Sequence, residues 1–248
     1  LHDHNTAEVF FVLSGRWRFF WGRWGNSGEV VLEQGDIINI PTGIFRGFEN
    51  IGTEYGMIMA ILGGDNAGGG VHWAPQVIKD AADHGLILGE NGKLYDQKKG
   101  QNLPDGIGPM PVMQSEELSK RAELTTMDVV PNHVARYWDM FSLADRKPVN
   151  VIGENGLLRD KPGFEVNFIT RGSANENLES HKFLSVLMPV RGHWRISWES
   201  GSTVLAPGDT MSIPADFKHS IVPAVTGEAA LYQIVGNNDP AGHTWKAQ

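Results

Sequence analysis

Short runs in which apolar and polar residues alternate, broken by Gly, Asn and Ser, dominate both ends of this chain. Val9–Leu13, Arg16–Trp21, Val30–Leu32, Asp36–Ile40 and Tyr55–Ile61 are rich in aromatic and β-branched residues and predict strands. Residues 178–236 repeat that pattern. Ahead of them Phe164–Thr170, with Phe164, Val166 and Phe168 on one face, predicts a further strand. Regularly spaced short strands of this kind suggest a sandwich or a barrel. The middle of the chain reads differently. Pro75–His84 sets Val77, Ile78 and Ala81 on one face of a short helix that Gly85 ends. Residues 97–113, rich in Gly, Pro and polar side chains, read as a linker. Ser115, with Glu116 and Glu117 in the first turn, opens a second short helix.

The similarity of the two ends extends to residue identity. Gly15-Arg16-Trp17-Arg18-Phe19-Phe20-Trp21 returns as Gly192-His193-Trp194-Arg195-Ile196-Ser197-Trp198. Val31-Leu32-Glu33-Gln34-Gly35-Asp36 with Ile40-Pro41 returns as Val204-Leu205-Ala206-Pro207-Gly208-Asp209 with Ile213-Pro214. A repeat of such long period means two copies of one domain rather than a solenoid. The predicted organisation is an N-terminal domain at 1–74, a connecting segment with short helices at 75–150 and a C-terminal domain at 151–248. Nothing ahead of Leu1 matches the Phe164–Thr170 strand, so the repeat predicts a natural chain that extends further N-terminally. A smaller echo, Gly89-Glu90-Asn91-Gly92 and Gly153-Glu154-Asn155-Gly156, predicts a turn used twice.

With 248 residues, 41% of them hydrophobic, the chain can build two packed domains. It has no cysteine, which removes disulfides, thiolate nucleophiles and cysteine-ligated zinc. The net charge of −8, with no basic cluster, argues against nucleic acid as a partner. No apolar run is long enough for a membrane helix and no signal peptide is visible, so the expected partner is a small molecule and the expected location cytoplasmic. Neither a Gly-rich phosphate loop nor a Gly-x-Ser-x-Gly elbow is present.

The candidate chemistry lies at the N-terminus. His2 and His4, two apart on a strand, project to one side, and Glu8 has the same parity. Two imidazoles and a carboxylate suit Fe(II), Mn, Ni, Zn or Cu and leave coordination positions for substrate or oxygen. The competing reading is a pair of exposed histidines near a chain end. His193 aligns with Arg16 and reads as a surface position, while His72, His84, His133 and His243 show no ligand spacing. Trp17, Phe19, Trp21, Trp194 and Trp198 read mainly as core.

The spacing His-x-His-x3-Glu-x6-Gly, followed by Gly35-x5-Pro41-x-Gly43, resembles the bicupins of the cupin superfamily. Their first motif is G-x5-H-x-H-x3,4-E-x6-G and their second G-x5-P-x-G-x2-H-x3-N. His2, His4, Glu8 and Gly15 match the visible part of the first; Gly35, Pro41, Gly43 and Asn50 match the second. The resemblance implies an all-β chain of two tandem cupin-type jelly-roll β-barrels joined by short helices. It also implies a divalent transition metal on His2, His4 and Glu8, with Fe(II) favoured over Mn, Ni, Cu or Zn. Arg46 stands where the third histidine ligand belongs. An arginine cannot ligate a metal. Its fork could hold a substrate anion, pair with Glu8 or turn out to solvent. In the second copy Glu179, His181 and Ser185 fall at the first-motif positions, His219 at the second-motif histidine and Asp216 at the glycine. Glu179, His181 and His219 are therefore a weaker second metal set, set against loss of metal from that half. Bicupin dioxygenases imply a metal-dependent oxidoreductase acting on a small aromatic or hydroxy-keto compound, with Arg46 orienting the substrate anion. Rival expectations are a non-oxidative decarboxylase or isomerase, and a non-catalytic ligand-binding bicupin. Edge strands and paired barrels favour a homodimer.

Overall fold

The computed structural model describes residues 1–248 apart from 5, 7, 64–70, 159–162 and 238–248. The second candidate set and the first both lie within the described residues; His243 lies outside them. Each repeat folds as two antiparallel sheets facing one another. In the first module one sheet runs Gly28–Glu33, Arg16–Trp21, Arg46–Asn50, His2–Asp3, His72–Trp73 across its width. The other runs Val134–Ala135, Ile37–Ile40, Glu8–Ser14, Met57–Leu62. The second module has Val149–Ile152, Phe164–Thr170, Ala230–Gly236, Ser185–Arg191, Met211–Ile213 against Asn175–Glu179, His219–Pro223, Trp194–Trp198, Gly201–Leu205. Among the described residues the sheets of a module are not hydrogen-bonded into a closed barrel, so each is an open jelly roll. No helix among them is long and apolar enough to cross a membrane.

The repeated residues are repeated because they make the same turns. Gly35 and Gly208 sit at φ +87° and +93°, a region that favours glycine. The aspartate that follows closes the turn with its side chain: Asp36 Oδ2 accepts from Glu33 N at 3.0 Å, and Asp209 Oδ2 from Ala206 N at 2.8 Å. In the same way Trp17 Nε1 donates to Ser14 O at 3.0 Å and Trp194 Nε1 to Arg191 O at 3.1 Å. Asp216, in place of the first copy's Gly43, keeps a left-handed φ of +58°, which aspartate tolerates better than most residues.

Alternation sorts the strands into three cores. Phe10, Val12, Phe19, Trp21, Leu32, Ile38 and Ile40 fill the first module. Leu187, Trp194, Ile196, Ile213, Ile221 and Leu231 fill the second. The opposite faces of the same strands, Val9, Phe11, Leu13 and Ile37 from one module and Phe168, Met188, Val190 and Tyr232 from the other, form a third core between the modules. A strand buried on both faces reads as the near-continuous run Glu8–Ser14 rather than as a strict alternation. Tyr232 Oη donates to Gly35 O at 2.7 Å across this junction, and its ring lies 5.0 Å from that of Phe11.

The segment between the repeats is folded against both modules. The expected helices are present at Pro75–Asp83 and Ser115–Ser119, and the Gly-Glu-Asn-Gly echo forms a turn in both places. Two helices were not expected. Thr126–His133 follows a capping arrangement in which Asp128 accepts from Thr125 N at 2.8 Å, and its interior Pro131 masks the pattern. Tyr137–Leu143 is held by Asp36, whose carboxylate accepts from Tyr137 N at 2.9 Å and Arg136 Nη1 at 2.8 Å. Val134–Ala135 adds to the edge of Ile37–Ile40, and Trp21 Nε1 donates to Leu124 O at 2.8 Å.

Candidate metal centre

The two-residue strand His2–Asp3 lies between Arg46–Asn50 and His72–Trp73, with His2 opposite Arg46 on one side and Trp73 on the other. The register turns His2 and Arg46 to the same face and Asp3 to the reverse face. Glu8, at the start of the strand in the facing sheet, completes the cluster. One ligand atom from each of His2, His4 and Glu8 lies within 4.8 Å of the others, and this is the metal-type cluster found among the described residues. The rings of His2 and His4 meet edge to face at 4.9 Å, and His4 Nε2 is 3.6 Å from Glu8 Oε2.

Of the three orientations left open for Arg46, the structure shows the inward one, engaged on Glu8. Arg46 is 1% exposed. Its Nη2 and Nε both donate to Glu8 Oε2, at 2.6 and 3.1 Å. Its Nη1 is buried without a hydrogen-bond partner, as is His4 Nδ1. Burial, reinforced by Arg46 and then His4, pulls the His2 pKa from 6.5 down to about 4. Burial and Arg46 also lower His4, against the opposing pull of Glu8. Both rings are therefore neutral near pH 7, the form in which an imidazole offers a lone pair to a metal.

The reverse face of the strand carries residues that spacing did not flag. Asp3 is fully buried and accepts from Arg121 Nη1, while His72 Nδ1 lies 2.7 Å from its other oxygen. Arg121 comes from the inter-module segment and also covers the Phe45 ring at 5.4 Å. The Asp in His-x-His was the available signal, since a carboxylate on the core side of a strand needs a cationic partner.

Residues 1–62 match the family model of the Cupin domain. Comparison with curated proteins gives no match. Among solved structures, the chain is similar to Lactobacillus farciminis oxalate decarboxylase in a formate complex, at 17% identity and TM-score 0.52, covering 96% of this chain and 72% of that one. It is also similar to a variant of salicylate 1,2-dioxygenase from Pseudoaminobacter salicylatoxidans, at 14% identity and TM-score 0.53, covering 94% of this chain and 65% of that one. A putative glyoxylate-induced protein from Pseudomonas aeruginosa aligns at 12% identity and TM-score 0.50, over 95% of this chain and 68% of that one.

The chain has the bicupin fold. The second module keeps the geometry of the first with other residues in it. Ser185 pairs with Ile213 and Val235 as Glu8 pairs with Ile40 and Leu62, so Ser185 occupies the glutamate position. It is buried, and its Oγ has no hydrogen-bond partner. Glu179 lies opposite His219, and both line a cavity of about 70 Å³ together with His181. Glu179 is exposed and accepts from Asn175 Nδ2 at 2.6 Å. His219 is buried, its Nδ1 2.9 Å from Phe217 O, an acceptor that fixes the proton on Nδ1 and the lone pair on Nε2. Burial and then His219 lower His181, with Glu179 opposing. The three share a pocket without drawing their ligand atoms into a cluster like the first.

Proposed function

We propose that this bicupin is a metal-dependent oxidoreductase whose first module carries the working centre, a dioxygenase acting on a small aromatic or hydroxy-keto compound. The observation that carries the reading is the convergence of two neutral imidazoles and a carboxylate, His2, His4 and Glu8, within 4.8 Å. The donor set fits a divalent transition metal such as Fe(II), with Mn, Ni, Cu or Zn also suited to two nitrogens and one oxygen. His4 Nδ1 and Arg46 Nη1, buried and unpartnered, show that the polar valences of this pocket are not exhausted by its own residues. When bound, the metal supplies Lewis acidity and, if redox-active, electrons for O2 chemistry.

The remaining work falls to the chain. Arg46 meets Glu8 through a single oxygen, Oε2, and holds Nη1 unused, so its fork has capacity for a carboxylate or enolate oxygen of the substrate. Buried at 1% exposure, that charge acts in a medium where it orients an anion more strongly than at a surface. Trp73, its ring 5.4 Å from that of His2, forms apolar wall beside the centre. The test is the metal content per chain after purification without a tag, followed by O2 uptake with aromatic and 2-keto substrates. About one equivalent of metal in the wild type and none in His4→Ala is the expected result. Turnover without O2 would replace the dioxygenase by a decarboxylase or isomerase. An absence of metal even after reconstitution would overturn the enzyme reading.

A further inference from the structure

At the outer edge of the first module, the strand His72–Trp73 borders a cleft of about 380 Å³, within the range that small organic ligands occupy. Trp73, Ile78, Met110 and Met113 supply apolar wall. Glu117 is the one charged residue among those lining the cleft, and no Lys or Arg is among them. An anionic ligand would meet repulsion without a counter-charge, so the cleft disfavours anions and leaves its apolar wall to set the guest.

Three polar side chains line this wall, His72, Gln114 and Glu117, and His72 is the one oriented by a buried side-chain partner. Its Nδ1 faces Asp3 Oδ1 at 2.7 Å, and an ionised carboxylate only accepts. The neutral ring therefore carries its proton on Nδ1 and presents Nε2 as an acceptor. Asp3 cannot turn away easily, because it is fully buried and its other oxygen is held by Arg121. The ring itself is partly exposed and lines the cleft. Methionine sulfur is a favourable neighbour for an aromatic guest. Trp73 also touches His2, so the cleft and the candidate metal centre share a wall while using different polar groups.

We propose that this cleft binds a neutral aromatic molecule bearing a hydroxyl, of the phenol class, whose O–H donates to His72 Nε2 while its ring packs on Ile78, Met110 and Met113. The site is separate from the Glu8–Arg46 pair and goes beyond the function proposed above. It is tested on the full, metal-stripped chain, so failure of the metal reading does not affect the outcome. Titration calorimetry with 4-ethylphenol and its methyl ether, 4-ethylanisole, separates the hydroxyl contribution from ring burial. The expected result is binding of the phenol and at least about tenfold weaker binding of the ether, a loss of that size matching one hydrogen bond. His72→Leu should abolish the difference, and His72→Gln, which retains an acceptor, should keep part of it. Met113→Trp, which fills the cleft, should weaken both ligands about tenfold or more. If a thermal melt shows that variant unfolded, Ile78→Trp fills the cleft from the neighbouring helix. Equal affinities for phenol and ether, unchanged affinity in the filled cleft, or no binding of 4-ethylphenol would each overturn the proposal.

Discussion

Replacing Arg46 by Met isolates the most consequential contact in the molecule. The guanidinium and Glu8 meet at 2.6 Å with almost no solvent exposure. At an effective dielectric of about 20 that separation corresponds to roughly 6 kcal/mol of attraction, most of it offset by the cost of removing both charges from water. Met matches the stem of Arg46 but leaves the Glu8 carboxylate buried beside two neutral imidazoles. Breaking one side of such a pair costs about 3–5 kcal/mol, which for a chain of this size lowers Tm by roughly 6–20 °C. Removing both charges in Glu8→Leu/Arg46→Met should return the metal-free protein to within about 2 kcal/mol of wild type, because a buried pair and a packed apolar pair are close in free energy. Urea and thermal melts in chelator give these values directly. The single variant should also gain more stability than wild type on adding metal, since the guanidinium no longer neutralises Glu8 or repels a cation beside it. A single variant within about 1 kcal/mol of wild type, or a double variant no more stable than the single one, would refute the buried-pair argument. An equal metal-induced shift in both proteins would refute the competition between Arg46 and metal.

Two further outcomes follow from the same structure. His2 titrates near 4 when folded and near 6.5 when unfolded, so the unfolded chain takes up the proton first and stability falls as pH drops from 6.5 towards 4. The shift alone would set a ceiling of about 3 kcal/mol. The half-buried ring is partly screened by solvent, which reduces its share to about 1–2 kcal/mol. Urea midpoints of the metal-free wild type and His2→Gln at both ends of that window should diverge by this amount, and parallel curves would count against it. Asn39 is fully buried, on the face of its strand that Ile37 turns to the inter-module core, and neither of its amide atoms has a hydrogen-bond partner. Asn39→Leu should therefore raise stability by about 1–3 kcal/mol, seen as a higher urea midpoint, and a loss of stability would show that the amide is satisfied in solution.

The sequence alone determined the two modules, because their repeated residues are set by local backbone chemistry. A glycine at positive φ, an aspartate capping its own turn and an indole bonded three residues back work within a few residues of themselves, so they survive as readable words. Spacing could flag His2, His4 and Glu8 as a candidate set, but parity along one strand did not join them: Glu8 enters from the facing sheet, so their meeting was decided by how the two sheets pack. Tertiary structure decided the rest. Periodicity separates the two faces of a strand without saying what covers each one, so the core between the modules was invisible until Val9 and Phe11 were seen against Phe168 and Tyr232. Residues 97–113 read as linker from composition, yet the surrounding segment delivers Arg121 to Asp3, because long-range charge pairing leaves no trace in spacing. Arg46 is the clearest case. Its departure from the family's histidine could be read directly, but only the packing of two facing sheets decided that its charge would be buried against Glu8 rather than exposed.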